Sequence, residues 1–207
     1  MTAQVEWLEI GGDPEVWRSL GLVVSHDGVI PLVGTSLRIV DPTQGAGIVA
    51  WAMSGVDRSL DATSIDGGLA TRVVEPMGPL FAEHELGASG LDHVVVMTPD
   101  LERTTGDIAA ATACELKRVR EVGSMRQGFH RIGRGGLIVE VVERPEIDDG
   151  PSSFWGLVMN VDDLDRACER IGAGRISAPT DAVQPGRRIA TISNDVGLGV
   201  PVALMTA

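Results

Sequence analysis

The 207-residue sequence contains no tyrosine, only two cysteines and few basic residues, and these shortages exclude several classes of protein. Lysine and arginine total 17 against 29 aspartates and glutamates, which gives a formal net charge of −12. A chain with this charge has no electrostatic attraction for nucleic acid or for an anionic membrane, so we expect neither as a partner. The short basic clusters at 117–120 and 187–188 are too small to reverse that balance.

Long hydrophobic runs are also missing, since no stretch approaches the ~20 apolar residues that span a bilayer. The first ten residues have neither a basic nor an apolar leader segment, so no signal peptide is expected. Cys114 and Cys168 lie in helical-looking stretches without the spacing of a zinc site. The sequence therefore predicts a reduced, cytoplasmic protein.

What the sequence does contain is a unit that recurs. LDHVVVMT (91–98) is typical of a strand, and Thr98 as N-cap with Pro99 in the first turn predicts a helix over 99–114. Three strand-like stretches follow, at 116–122, 126–132 and 137–143, with GRGG (133–136) as the turn between the last two. The element order is β-α-β-β-β.

The same order returns near the carboxyl end of the sequence. FWGLVMNV (154–161) is typical of a strand, and 162–172 of a helix with Asp162 as N-cap and Gly172 as its stop. Alternation along the strand places Trp155 on the helix side of the sheet. Three further strands are predicted at 175–179, 187–193 and 199–205.

A weaker copy opens the chain. Its strand is 5–12, its helix is 13–21 with Asp13 as N-cap, and its last strand is 47–53. The Gly-, Asp-, Ser- and Pro-rich stretch that follows has little periodicity and is interpreted as a linker. The predicted domains are a degenerate module at 1–56, a linker at 57–90, and a domain at 91–207 that contains modules 91–145 and 154–207.

These stretches carry a resemblance to a known family. GLDHVVVMTPDLERT, MRQGFHRIGRGGLIVEVVE, FWGLVMNVDDLDRA and DAVQPGRRIATI resemble the vicinal oxygen chelate superfamily of glyoxalase I, bleomycin-resistance proteins and extradiol dioxygenases, and within it an actinobacterial-type glyoxalase-like subgroup. The resemblance covers 91–207 well and 5–55 loosely. It implies an α+β fold in which tandem βαβββ modules form a cupped mixed β-sheet, with the helices outside and the ligand or metal inside the cup.

The resemblance also implies a metal site, because the superfamily takes ligands from the first and last strand of each module. In the second module those positions match His93 and Glu140. Alternation places His93 on the face opposite Val94 and Val96, which face the helix. Imidazole nitrogen and carboxylate oxygen suit a divalent ion such as Zn, Ni, Mn or Fe. Glu140 would then double as a catalytic base.

The third module departs from this pattern. Gly156 stands where the second module has His93, and the last strand of the third module has no acid, amide or histidine. A third ligand would have to come from His130, which opposes either Val139 or Glu140 according to strand register, or from Glu6 or Glu9 in the first module. The alternative is that His93 and Glu140 form a hydrogen bond with each other and bind no metal.

Further ligand-binding candidates lie at the rim of the predicted cup. They are Gln184 and Arg187 beside a Pro-Gly turn, and Arg126 and Gln127 in the corresponding strand of the second module. The competing interpretation of both pairs is a hairpin with solvated polar ends.

The resemblance and the missing ligands together predict a glyoxalase-like protein that binds a small molecule of unassigned identity and has an incomplete metal site. The alternative is a divalent-metal-dependent lyase, isomerase or dioxygenase acting on a small substrate with vicinal oxygens. If 91–145 and 154–207 pair with each other, the first module has no mate and its sheet has an open edge. A homodimer that pairs the two orphan modules is therefore predicted.

Overall fold

The computed structural model describes residues 2–133, 136–144, 146–147 and 149–207. These residues form two mixed β-sheets with few helices, an α+β architecture in agreement with the fold class expected from the sequence. The first sheet contains β1 (Gln4–Gly11), β2 (Val29–Ile30), β3 (Ser36–Val40), β4 (Gly47–Ser54), β5 (Thr63–Ile65) and β6 (Leu69–Val73). The second contains β7 (Ala88–Thr98), β8 (Arg118–Val122), β9 (Met125–Ile132), β10 (Leu137–Glu143), β11 (Ser153–Val161), β12 (Thr180–Asp181), β13 (Arg188–Thr191) and β14 (Val202–Thr206).

The described helices are α1 (Pro14–Ser19), α2 (Leu101–Thr112) and α3 (Leu164–Ile171), with short 3-10 turns at Pro42–Gln44, Arg58–Leu60 and Asn194–Val196. No helix among the described residues is long and apolar enough to cross a membrane.

The second sheet has the strand order β12-β13-β14-β11-β7-β10-β9-β8. The first strands of the two modules, β7 and β11, pair antiparallel at its centre, and each pairs in parallel with the last strand of its own module, β10 or β14. The order β-α-β-β-β is thus confirmed in both copies. The GRGG turn includes residues 134 and 135, which lie outside the described residues.

The helix caps of the two modules correspond to each other, but each lies later than expected: Asp100 is two positions after Thr98, and Asp163 is one position after Asp162. Asp100 caps α2 by accepting a hydrogen bond from the backbone N–H of Arg103 at 2.9 Å, and Asp163 caps α3 in the same way from Arg166 at 3.0 Å. Both Asp100 and Asp163 have the extended backbone that an N-cap requires. Gly172, with a φ of 91°, ends α3 as predicted.

The first sheet differs from the expected single module. Its order is β2-β3-β1-β4-β6-β5, in which β1 runs parallel to β3 and antiparallel to β4. The strand at 47–53 exists, but the last strand of the first module is β3, because only β3 is parallel to β1. β4 instead begins a further unit whose parallel partner is β6.

That further unit occupies part of the stretch that the sequence predicts as a linker. Residues 58–60 form a 3-10 turn where the other modules have a helix, and β5 and β6 complete the sheet. The order β3-β1-β4-β6 repeats the arrangement of β14-β11-β7-β10 in the second sheet. The domain boundaries at 56 and 90 stay predictions, but 57–90 carries strands of the first sheet.

One apolar core extends through both sheets. Trp51 of β4 is fully buried and meets Phe154 of β11 edge-to-face, with ring centroids 5.2 Å apart. An isolated parallel bridge between Val33 and Gly90 also links the segment after β2 to β7. The helices α2 and α3 contact strands on either side of the central pair of the second sheet, β9 and β10 for α2 and β13 and β14 for α3. The opposite face is free to form the cup.

Candidate functional site

The structure brings His93 and Glu140 together on the open face of the second sheet. They lie on the neighbouring parallel strands β7 and β10, where His93 is level with Ile138 and Glu140 with Val95. Nε2 of His93 is 3.4 Å from Oε2 of Glu140, and the two side chains are 14% and 15% exposed. The expected alternation therefore holds at His93, since Val94 and Val96 are fully buried on the other face.

Alternation fails one residue earlier, at Asp92. Along β7, His93 pairs with Val158 of β11, and the next pair is Leu91 with Met159, so Asp92 is an extra residue in the ladder. Such a shift changes the direction of the extra side chain. Oδ2 of Asp92 accepts a hydrogen bond from Nδ1 of His93 at 2.8 Å. The sequence interpretation missed Asp92 because a strict period of two sends its side chain to the helix face.

Arg187 holds Asp92 from the other side. Its NH1 donates to Oδ1 of Asp92 at 2.6 Å, NH2 donates to Oδ1 of Asn160, and Nε donates to the carbonyl oxygen of Thr206 at 2.7 Å. Burial by itself would raise the pKa of Asp92, but the hydrogen bonds from His93 and Arg187 lower that pKa to about 2. Asp92 is therefore an anion at neutral pH and requires a proton on Nδ1 of His93.

Glu140 has a different environment. Its Oε1 accepts a hydrogen bond from Nε2 of Gln127 at 2.6 Å, and its Oε2 faces His93. Burial raises the pKa of Glu140, an effect that the positive charge of Arg120 and the nearby His93 only partly oppose. Two carboxylates on either side of one imidazole thus have opposite pKa shifts, which is common where a protein handles protons.

His93 and Glu140 form the floor of two adjoining cavities. The larger, here called the cup cavity, has a volume of about 690 Å³ and lies between strands β8 and β9 on one side and residues 181–185 on the other. The smaller, here called the inner cavity, has a volume of about 280 Å³ and continues between the centre of the sheet and Trp155. Both are lined by His93, Gln127, Glu140 and Ile189.

Two of the four predicted ligand-binding residues line the cup cavity, and two do not. Gln127 and Gln184 line the cup cavity. Arg126 does not, because it lies on the helix face of β9, where it forms ion pairs with Glu102 and Glu143. Arg187 is held behind Asp92 by the contacts described above, so it reaches the cup only through Asp92 and His93.

The third module has no donor side chain at the two positions that correspond to His93 and Glu140. A side chain at Gly156 would place its Cβ 2.8 Å from the carbonyl oxygen of Pro201, so the backbone is packed too closely there for histidine. Ala203 and Val202 of β14 line the inner cavity where the third module would need an acid. The expectation that Trp155 faces the helix is wrong. A second register shift makes it an extra residue on β11. Its side chain is 51% exposed and lines the inner cavity.

The proposed third metal ligands lie elsewhere. His130 is level with Val139, which puts it on the helix face, and its Nδ1 is 3.0 Å from the carbonyl oxygen of Cys114. Glu6 and Glu9 belong to the first sheet, where Glu6 bonds Ser54 and Glu9 pairs with Arg72 at 2.8 Å. Burial also lowers the pKa of His130.

The donor set does not fit a resident divalent metal. On the cavity floor, Nε2 of His93 and Oε2 of Glu140 face a common position, and this is one ligand fewer than the three protein ligands that a catalytic metal centre usually has. Within the described ranges there is no cluster of three or more His, Cys, Asp or Glu side chains that could hold an ion. The contacts of His93 with Asp92 and of Glu140 with Gln127 orient the two side chains and leave Nε2 and Oε2 as the two available donors, so the number of ligands is what argues against a tight metal site.

The arrangement is suited to binding and moving a proton. Because Nδ1 of His93 donates to an ionised Asp92, Nε2 is the nitrogen that is free to accept or release a proton. Nε2 faces Glu140, whose pKa is raised by burial, so this carboxylate binds a proton more tightly than an exposed glutamate does. A polar group of a ligand on the cavity floor would meet this pair.

Paired modules around a cupped sheet define the vicinal oxygen chelate fold, and this chain has that fold. Over 98% of its length it superposes with a TM-score of 0.65 on 92% of a triple mutant of 4-hydroxymandelate synthase from Streptomyces coelicolor, at 16% sequence identity. No family model and no curated protein matches the sequence.

Methylmalonyl-CoA epimerases match a smaller part of the chain. The enzyme from Mycobacterium tuberculosis is 18% identical and aligns 58% of this chain with 89% of its own, at a TM-score of 0.49. A variant of the Streptomyces coelicolor epimerase in complex with 2-nitronate-propionyl-CoA is 20% identical and aligns 56% of this chain with 96% of its own, at a TM-score of 0.46.

Proposed function

We propose that this protein binds a small molecule in the cup formed by the second and third modules, and that it does so without a resident metal. The observation that carries the proposal is the cup cavity of about 690 Å³, a size typical of small-molecule sites. His93 and Glu140 converge on its floor, where the pKa of Glu140 is raised and the pKa of Asp92, on the other side of His93, is lowered. Gln127 and Gln184 supply further hydrogen-bonding groups.

The ligand would be recognised by complementary parts of the cavity. A carbonyl oxygen of the ligand can accept a proton from the His93–Glu140 pair, and a hydroxyl group can also donate one to it, while Gln127 holds Glu140 in place. Asp92 and Arg187 orient His93 and fix its tautomer, so they act as positioning residues. A role of Glu140 as a catalytic base remains part of the alternative function.

Mass spectrometry of the purified protein tests the binding proposal. Under native conditions we expect a protein–ligand mass that is lost on denaturation, and the same mass should be absent from an Ile189→Trp variant, because Ile189 lines both cavities. Val23→Trp is the matched control, since Val23 is 46% exposed and lies away from the cup. Equal ligand occupancy in both variants would refute binding in the cup.

Metal analysis separates this proposal from the alternative, a divalent-metal-dependent lyase, isomerase or dioxygenase acting on vicinal oxygens. Purified protein incubated with Zn, Ni, Mn or Fe and then desalted should retain no stoichiometric metal, because two donors are too few for a tight site. Stoichiometric metal that disappears in a His93→Ala variant would establish the alternative. The cytoplasmic location and the homodimer also remain predictions.

A further inference from the structure

Four basic side chains line one wall of the cup cavity, and together they are called the basic rim: Lys117, Arg118, Arg120 and Arg131. Strand register explains why they share this wall. Arg118 is level with Phe129 and Arg120 with Gln127, and both partners line the cavity. The residue between the two arginines, Val119, points the other way.

The basic rim is not neutralised by carboxylates of the described residues. Among the described residues, eight arginines elsewhere form ion pairs with aspartate or glutamate, whereas no rim residue lies within 4.0 Å of a described carboxylate. The acids that line the same cavity are Glu140, on the floor, and Asp181, on the opposite wall. In a chain with a net charge of −12, a cluster of unpaired cations around a cavity indicates a negatively charged occupant.

The other end of the site is mainly apolar. The inner cavity is lined by Val95, Met97, Leu157, Val158 and Val202, with Trp155 at its edge, and Arg144 is the one cation among its lining residues. The two cavities meet at His93, Glu140 and Ile189. A molecule that fills both would therefore pass from a cationic wall, over a proton-binding pair, into an apolar pocket.

We propose that the ligand is an anionic amphiphile, with its phosphate or carboxylate against the basic rim and its apolar arm in the inner cavity. This inference rests on the proposed binding in the cup and adds the chemical class of the ligand. Contact with the rim is favourable because guanidinium groups form charge-assisted hydrogen bonds with phosphate and carboxylate oxygens. The apolar arm gains by leaving water.

Calorimetric titrations of the full chain with octyl phosphate, octanoate and octanol test the inference. Both anions should bind at least about tenfold more tightly than octanol, since hydrogen bonds to charged groups are stronger than those to the neutral hydroxyl of octanol. Affinity for the anions should fall as salt concentration rises, because the rim is partly exposed to solvent. A preference between the two anions identifies the phosphate or the carboxylate as the better match.

The double variant Arg120→Gln/Arg131→Gln should weaken binding of both anions about tenfold and leave binding of octanol unchanged. Arg166→Gln is the control, because Arg166 is exposed on α3 and pairs with no carboxylate of the described residues. Equal binding of all three molecules, unaffected by the double variant, would overturn the anionic class and leave binding in the cup intact. Binding of none of them would also overturn the inference, while the native mass measurement would separately decide whether the cup binds anything.

Discussion

Arg187 makes contacts with three elements of the domain. It reaches Asp92 on β7, Asn160 on β11 and the carbonyl oxygen of Thr206 on β14, and its side chain is only 21% exposed. The adjacent Arg188 points to the helix side and pairs with Asp165, and these two side chains are 42% and 63% exposed. The two neighbouring arginines therefore provide a direct comparison of a half-buried ion pair with a solvated one.

Arg187→Ala should lower the free energy of unfolding by about 2–3 kcal/mol, because it leaves the buried carboxylate of Asp92 without its cationic partner. Arg188→Ala should cost less than about 1 kcal/mol. Urea unfolding at neutral pH measures both. Equal losses for the two variants would show that the contacts of Arg187 with Asp92 stabilise the fold no more than an exposed ion pair does.

Glu140 is expected to destabilise the folded protein at neutral pH. Burial raises its pKa, so the folded chain binds the proton more tightly than the unfolded chain does. Below about pH 4 both states are protonated and the cost is absent, whereas above the raised pKa both are ionised and the folded state bears the full cost. Glu140→Gln should therefore be more stable than the wild type at about pH 7, and the gain should vanish at about pH 4.

Glu143→Gln, on the same strand, is the control with the opposite sign. Glu143 accepts a hydrogen bond from the backbone N–H of Leu101 at 2.7 Å and pairs with Arg126, so its replacement should lower stability at neutral pH. Chemical unfolding of both variants across this pH range tests the pair. A stability loss in Glu140→Gln at neutral pH would contradict the account of the cavity floor given above.

At the scale of elements, the hydrophobic pattern and the repeat predicted most of the second sheet. Strands β7 and β10 and helices α2 and α3 lie within a few residues of their expected positions, because each is a run of strand-forming or helix-forming residues bounded by turn or cap residues. β12 was misplaced: the structure has it at Thr180–Asp181, after the predicted 175–179. Such a short edge strand has too few residues to show a period.

The site itself was only half predictable. His93 and Glu140 could be found because the family resemblance marks their positions, and strand alternation gave them a common face. Asp92 could not be found, because a shift in register depends on how β7 and β11 fit together and leaves no local pattern in the sequence. The structure shows a similar shift at Trp155, so both first strands of the domain carry an irregularity that alternation hides.

Gly156 stands where the second module has His93, and its backbone packing leaves little room for a side chain. Gly156→Ala should lower stability by about 1–3 kcal/mol, because the new Cβ meets the carbonyl oxygen of Pro201 at 2.8 Å. Gly106→Ala in α2 is the control and should raise stability by about 0.5–1 kcal/mol, since no atom lies within 4 Å of its Cβ position. Thermal unfolding compares the two, and a neutral Gly156→Ala would show that β11 can move away from Pro201.

At the scale of the whole molecule, the first sheet has no orphan module. β1 is paired on both sides, by β3 and by β4, so the open edge that suggested a homodimer is occupied within the chain. The sequence predicts a linker at 57–90 because β5 and β6 are short and lie in a Gly- and Asp-rich stretch, whose composition is typical of loops. The homodimer stays a prediction, but module counting no longer supports it. Sedimentation at several concentrations would establish the oligomeric state.

The shared core predicts that the two sheets unfold together. Trp51 is fully buried, meets Phe154 of the second sheet, and donates from Nε1 to Oγ1 of Thr71 at 2.7 Å. Trp51→Ala should lower the free energy of unfolding by about 3–5 kcal/mol, and Trp7→Ala by less, because Trp7 is half-buried against Arg38.

Circular dichroism and tryptophan fluorescence during urea unfolding provide the measurement. In the wild type the two signals should give coincident transitions, and Trp51→Ala should shift both by the same amount, because loss of the contact with Phe154 weakens one cooperative unit. Two separate transitions, with only one moved by the substitution, would mean that the sheets are independent domains. In that case the boundary near residue 90 would mark a real division of the molecule.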